Sequence, residues 1–232
     1  INGKYVLYYA MSVWGGEQTC GIGVATADSP QGPFTDHGKM FRSNEIGVQN
    51  SIDPSLLQYE GRNYLVWGSF RGIYVIELTA DGLSIMPGAK KKRIAGTAFE
   101  AVYIHKHGDY YYMFASIGSC CQGVKSTYKV VVGRSKKVWG PYKDKTGKPM
   151  LKNGYSLVIG ANDHFVGNGH GSQIIQDDAG QDWLLYHGFS RSTPENGRIL
   201  LLDQIKWDQE GWPYVEGGSP SYETQKAPVF NN

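Results

Sequence analysis

Short runs of alternating or aromatic-rich residues recur along the chain, each set off by a turn glycine. Tyr5-Val6-Leu7-Tyr8-Tyr9 follows Gly3, and Tyr64-Leu65-Val66-Trp67 follows Gly61. Tyr110-Tyr111-Tyr112-Met113-Phe114 follows Gly108, and Trp183-Leu184-Leu185-Tyr186 follows Gly180. A period of two in aromatic and β-branched residues predicts strands, and a glycine one to three residues upstream predicts a hairpin turn leading into each. The four glycines are 58, 47 and 72 residues apart. Such spacings, with almost no 3.6-residue periodicity, predict an all-β chain of four-stranded propeller blades with unequal loops. A second repeat agrees: Gly23-Val24-Ala25-Thr26 leads into Gly32-Pro33-Phe34, and Gly133-Arg134-Ser135-Lys136 leads into Gly140-Pro141-Tyr142. Both place a Gly-Pro-aromatic turn after a strand, as expected for the outer strands of two blades.

Composition narrows the function classes. The 232 residues carry 23 basic and 21 acidic side chains, a formal net charge of +2, which lacks the basic field of a nucleic-acid binder. No apolar run approaches the ~18 residues of a membrane span. Glycine contributes 31 residues and the aromatics 13% of the chain, the supply that turns and blade cores require. Three cysteines, Cys20 and the vicinal Cys120-Cys121, have neither zinc-site spacing nor the density of a disulfide framework. The vicinal pair can be a closed ring or two thiols.

Counting back from the hairpin glycines gives the candidate site. Asp53 lies eight residues before Gly61, Glu100 eight before Gly108 and His170 ten before Gly180, where the turn Asp177-Asp178-Ala179-Gly180 is longer. Equivalent positions on successive blades face one another across a propeller channel, so these three side chains are expected to converge at one mouth. Two carboxyl groups across a polar channel are the equipment of glycoside hydrolysis. Glu100 sits in the apolar setting Ala98-Phe99-Glu100-Ala101-Val102-Tyr103, which favours the protonated form and the general-acid role, leaving Asp53 as the permanent anion. Each residue also has a plainer reading: Asp53-Pro54 as a turn starter, Glu100 as a satisfied structural carboxylate, His170 as a loop histidine. The shared offset favours function. His170 can ligate a cation or orient a carboxylate. His37, His105, His107, His164 and His187 share no such offset and read as structural or surface residues. Trp67, Phe70, Trp14, Tyr103, Phe165 and Phe189 are candidate sugar-stacking aromatics, with Ser69, Asn50 and Asn168 reaching hydroxyls.

Asn50-Ser51-Ile52-Asp53-Pro54-Ser55, Phe99-Glu100-Ala101-Val102-Tyr103-Ile104 and Gly169-His170-Gly171-Ser172 resemble glycoside hydrolase family 43. Gly118-Ser119-Cys120-Cys121-Gln122-Gly123, Ser126 to Ser135, and Ile205-Lys206-Trp207-Asp208 with Gly211-Trp212-Pro213 resemble its endo-α-1,5-L-arabinanase branch. The resemblance runs over essentially the whole chain and implies a five-bladed β-propeller, with residues 1–232 as a single, partial catalytic domain. It implies inverting hydrolysis by a general-base Asp, a general-acid Glu similar to Glu100, and a second Asp, similar to Asp53, that tunes the acid and orients substrate. Asn50, Ile52, Trp67, Ser69 and Phe70 are the expected substrate contacts, and by the resemblance Arg198 lies close to the tuning aspartate. His170 matches a histidine associated with a central metal ion, usually Ca2+ with a water-rich shell.

In the family the general base precedes the segment with which this sequence opens. The first blade and part of the second are therefore expected to be missing, on the order of 70 residues by the blade spacing. No internal aspartate replaces the base convincingly, Asp163 in the loop leading to His170 being the nearest. The expected partner is arabinan or an arabino-oligosaccharide, with no nucleic acid, no membrane span and a monomer when complete. A polymeric substrate implies a secreted or periplasmic protein. Two alternatives stay open: a non-catalytic propeller that binds plant polysaccharide, and an exo-acting arabinofuranosidase or β-xylosidase.

Overall fold

The computed structural model describes residues 1–13 and 15–231. The chain forms four antiparallel sheets in sequence order. The first joins β1 (Tyr5–Met11), β2 (Gly21–Ala27) and β3 (Thr35–Arg42), followed by the single-turn helix α1 (Ser43–Ile46). The second is the meander β4 (Ser55–Tyr59), β5 (Arg62–Trp67), β6 (Ile73–Glu77) and β7 (Lys92–Ala95). The third is β8 (Glu100–His107), β9 (Tyr110–Ile117), β10 (Lys129–Ser135) and β11 (Ser156–Ile159). The fourth runs β12 (Phe165–Gly169), β14 (Asp182–Ser190), β15 (Arg198–Trp207) and β16 (Pro213–Tyr214), with the short β13 (Ile175–Gln176) also paired to β14. Four successive up-and-down sheets of this kind are propeller blades, in line with the all-β reading. Among the described residues no helix is long and apolar enough to cross a membrane.

The hairpins expected at Gly61, Gly108 and Gly180 are present, whereas Gly3 lies in a turn that leads into β1 without joining it to an earlier strand among the described residues. Tyr59 pairs with Arg62 around Glu60-Gly61, and β8 turns into β9 at Gly108-Asp109. Both Gly-Pro bonds, Gly32-Pro33 and Gly140-Pro141, are cis. Cys120 and Cys121 form a disulfide, and Cys20 is a buried free thiol.

Two compact units divide the chain, one of residues 1–103 with 151–153 and the other of residues 104–150 with 154–232. In the first unit Ile22, Phe41, Val48, Leu65, Trp67, Ile76 and Leu78 form a core cluster between the first two sheets. Trp67 is its centre. The indole is 0% exposed, lies 5.3 Å from the Phe41 ring and 5.9 Å from Tyr74, and donates its Nε1–H to Ser51 Oγ at 3.1 Å. That placement corrects the expectation that Trp67 contacts substrate, since a side chain sealed between sheets has no face to offer a sugar. In the second unit the middle strands β9 and β10 are buried on both faces, and this accounts for the unbroken run Val130–Val132. Asp177, buried at the turn before β14, accepts hydrogen bonds from Ala179 N, Gln181 N, Trp183 Nε1 and Val229 N.

Trp67→Ala removes the largest side chain of the first unit's core. A loss of about 3–5 kcal/mol in unfolding free energy is expected from chemical denaturation, whereas Trp67→Phe, which keeps an aromatic ring between the sheets, is expected to cost less.

Candidate active site

Within the first unit a continuous polar chain ends on Glu100. Asn50 Nδ2 donates to Ser69 Oγ at 2.9 Å and to Ser69 O at 3.0 Å, and Ser69 Oγ donates to Glu100 Oε2 at 2.7 Å. Ser69 is 1% exposed and Glu100 is 7% exposed, so the acid is held by a buried hydroxyl that is itself held by an amide. Asp53 reaches the same place from the second sheet: Ala101 N donates to Asp53 Oδ2 at 3.0 Å. The two acids are thus joined through the Glu100–Ala101 peptide. Backbone bonds set the frame around them, from Gly68 N to Ile52 O at 3.0 Å and from Phe70 N to Phe99 O at 2.9 Å.

The backbone here is unusual. Asn50, Asp53, Phe70 and Ala101 all have left-handed φ values, of 52°, 57°, 51° and 51°. Phe and Ala rarely adopt this conformation, and such outliers concentrate at functional sites, where surrounding contacts over-determine them. The conformation also corrects the register inferred from the sequence. Gly61 is the second residue of its turn and Gly108 the first, so equal spacing to the two glycines does not mean equal position on the blade. Counted from the first turn residue, Asp53 matches Ala101, and both are left-handed. Glu100 sits one residue earlier. The equivalent of the Asp53 side chain is therefore a backbone amide, and that amide is the group Asp53 binds.

Asn50, Ser69, Ile52 and Phe70 lie in this unit with Asp53 and Glu100; Asn50, Ile52 and Phe70 are half-buried and keep an accessible part. Tyr103 and Phe189 are 5% and 7% exposed and belong to blade interiors, and Asn168 is fully buried with its amide on Gly160 O. These three are not the sugar contacts expected of them. Phe165 remains half-buried, and Trp14 lies outside the described residues.

In the second unit His170 is exposed and also left-handed, at φ 52°, with its amide N–H donating to Ser116 Oγ at 2.8 Å. Its ring stacks 6.4 Å from His187, which in turn lies 5.7 Å from Tyr128. His187 escaped the sequence reading because only sheet register, which pairs it with Gly169, brings it beside His170. Its Nδ1 is buried without a hydrogen-bond partner among the described residues, and burial first, then Arg198 and His170, pushes its pKa down to about 4. Arg198 stands exposed at the start of β15. The ring beside His170 is a second imidazole, that of His187. The two rings fit a hydrated ion held by one ring nitrogen, and do not make an oxygen-lined calcium cage.

The family model for glycosyl hydrolases family 43 matches residues 1–213. The chain is 37% identical over 238 residues to the extracellular exo-α-(1→5)-L-arabinofuranosidase ArbA of Cellvibrio japonicus (strain Ueda107), covering 93% of this chain and 67% of that protein. It is 37% identical over 221 residues to the extracellular endo-α-(1→5)-L-arabinanase 1 of Bacillus subtilis (strain 168), covering 91% and 65%. The structure of Cellvibrio cellulosa α-L-arabinanase complexed with arabinohexaose aligns with a TM-score of 0.85 at 34% identity, over 94% of this chain and 75% of that one. The chain belongs to glycosyl hydrolase family 43, and it spans about two thirds of the length of these two curated relatives.

The depressed pKa of His187 makes a pH prediction. Between about 4 and the ordinary 6.5 the unfolded chain binds a proton that the folded chain does not, so the His187 contribution to stability is complete above that window and is lost as pH falls through it. His187→Gln is expected to flatten the pH dependence of the unfolding free energy across this range, and an NMR titration of the wild-type ring should show its midpoint near the lower end.

Proposed function

We propose that the chain carries the acid side of an inverting glycoside hydrolase acting on α-1,5-linked L-arabinan. The observation that carries this reading is the hydrogen-bond chain Asn50–Ser69–Glu100 with the Asp53 carboxylate bound to the next amide. Ser69 occupies Oε2 of Glu100, which fixes the carboxyl group and leaves Oε1 to hold the proton that passes to the glycosidic oxygen as the bond breaks. Asp53 is the orienting anion. Pinned by Ala101 N, its carboxylate takes sugar hydroxyls and favours the positive charge that grows on the ring in the transition state. Inversion also needs a carboxylate that activates water on the opposite face. The proposal assigns that role to no residue of this chain.

Asn50, Ile52 and Phe70, half-buried around the two acids, are the proposed substrate contacts, and Arg198 is retained as a candidate on the second unit. The relatives named above are extracellular proteins, which supports secretion. One of them is named as exo-acting and the other as endo-acting at the same identity, so the cutting pattern is a matter for product analysis. Ca2+ is proposed as a hydrated ion with His170 as its single imidazole ligand.

In a form of the protein that includes the base-bearing segment, Glu100→Gln is expected to lower kcat on linear arabinan by about 10²–10⁴-fold, with a smaller loss on an aryl arabinofuranoside whose leaving group needs no protonation. Equal losses on the two substrates would overturn the general-acid role, and retention of anomeric configuration in the first-formed product, read by NMR, would overturn the inverting mechanism. For the metal, His170→Ala is expected to weaken Ca2+ binding in calorimetric titration; unchanged binding would remove His170 as a ligand.

A further inference from the structure

A cluster in the second unit plays no part in the proposed hydrolysis. His105 and His107 alternate on β8, so both rings project from one face of the third sheet. Asp182 opens β14 in the fourth sheet and meets them there, its Oδ2 lying 4.0 Å from His107 Nδ1. One ligand-type atom from each of the three residues falls within 4.8 Å of the others. The Asp182 side chain is only 7% exposed, and the hydrogen bonds it accepts come from neutral donors, Gln176 Nε2 at 3.2 Å and Trp207 Nε1 at 2.7 Å. Among the described residues, no lysine or arginine lies within ion-pair distance of it. A buried carboxylate whose only charge partner within ion-pair distance among the described residues is an imidazole suits a further cation, which a protein supplies by pairing or by coordinating a metal.

The surroundings orient this group. Trp207 stacks on the His107 ring at 3.7 Å and 7°, lies 6.0 Å from His105, and holds the carboxylate with the same indole. A ring plane and a carboxylate fixed by neighbours that bind no metal themselves are what the outer partners of a metal site supply. The His107 side chain is 39% exposed, which leaves a path to solvent.

We propose that His105, His107 and Asp182 form a transition-metal site of the Zn2+ type, bridging the third and fourth sheets. Two imidazole nitrogens and one carboxylate oxygen suit Zn2+ and its first-row neighbours rather than Ca2+ or Mg2+. Tetrahedral coordination places ligand atoms about 3.3 Å apart, so from separations of up to 4.8 Å small side-chain rotations draw the three atoms together by up to about 1.5 Å, with water as the fourth ligand. The site joins two sheets of one unit, and its occupation stabilises that unit by mass action. It is independent of the hydrolytic reading.

The test uses the chelator-treated protein and Zn2+ alone. One equivalent is expected to bind in calorimetric titration, to raise Tm, and to persist in excess Ca2+. Co2+ in its place should give the intense visible absorption of a low-coordinate site. His105→Gln and His107→Gln, at half-buried positions, should each weaken Zn2+ binding at least tenfold, and the double variant should abolish the Tm rise. His170→Ala should leave Zn2+ binding unchanged. Absence of Zn2+ binding to the wild type, or binding undiminished in the double variant, would overturn the proposal. Asp182→Asn serves as a third variant only if its circular dichroism matches wild type, and unaltered binding in that folded variant would remove Asp182 from the site.

Discussion

The hydrogen bond from Ala101 N to Asp53 Oδ2 is the constraint from which the first unit's chemistry follows. It ties the head of the second sheet to the head of the third, and both of its residues hold left-handed backbone that an L-residue avoids. Left-handed Ala101 turns its amide toward Asp53, and the peptide immediately before that amide carries Glu100. A charged acceptor on a backbone donor is among the stronger hydrogen bonds available to a protein. It offsets the conformational cost while positioning a second carboxyl group beside the first. Ser69 from β5's outgoing loop and Asn50 from the segment before β4 complete the frame, so the acid is gripped by groups from three segments of one unit.

Packing and chemistry are segregated along the same strands. β5 ends in Trp67, sealed in the core, and two residues later Ser69 touches the acid. The aromatic-rich runs that announced the strands therefore serve chiefly the blade interiors, where large rings fill the space between sheets. Phe70 differs because left-handed backbone turns it out of the strand path. The half-buried residues around the two acids stand at sheet ends, held by a core made of the same residue types.

The fold was legible in the sequence because hairpin spacing is a local property. Gly61 and Gly108 mark their turns through φ values that other residues avoid, at +73° and +53°. Asp53, Glu100 and Asn50 were singled out and the structure brings them together, whereas Ser69, expected on sugar hydroxyls, is buried against Glu100, and the offset that found Glu100 matched the wrong register. A glycine can occupy either position of a two-residue turn, and only the pairing of Tyr59 with Arg62 reveals which. Trp67, Tyr103 and Asn168 were misread because proximity to a strand end does not determine burial. His187 and the pair His105 and His107 carried no positional signal, since their neighbours Gly169, Asp182 and Trp207 come from strands distant in sequence.

The same backbone conformation recurs just before β4, at the start of β8 and just after β12, and carries three different chemical groups. Asp53 presents a carboxylate, Ala101 a bare amide and His170 an imidazole. A repeated scaffold fixes where a group stands and leaves its identity to a single substitution. Because Ala101 has no functional side chain, the third station donates its N–H to Asp53, and the carboxyl group beside it comes from the preceding residue, Glu100. That one-residue displacement lets two carboxyl groups stand beside one peptide, Asp53 bound to its amide and Glu100 held by Ser69. The arrangement therefore depends on Ala101 being small and on its unfavourable φ being maintained, and the hydrogen bond to Asp53 maintains it.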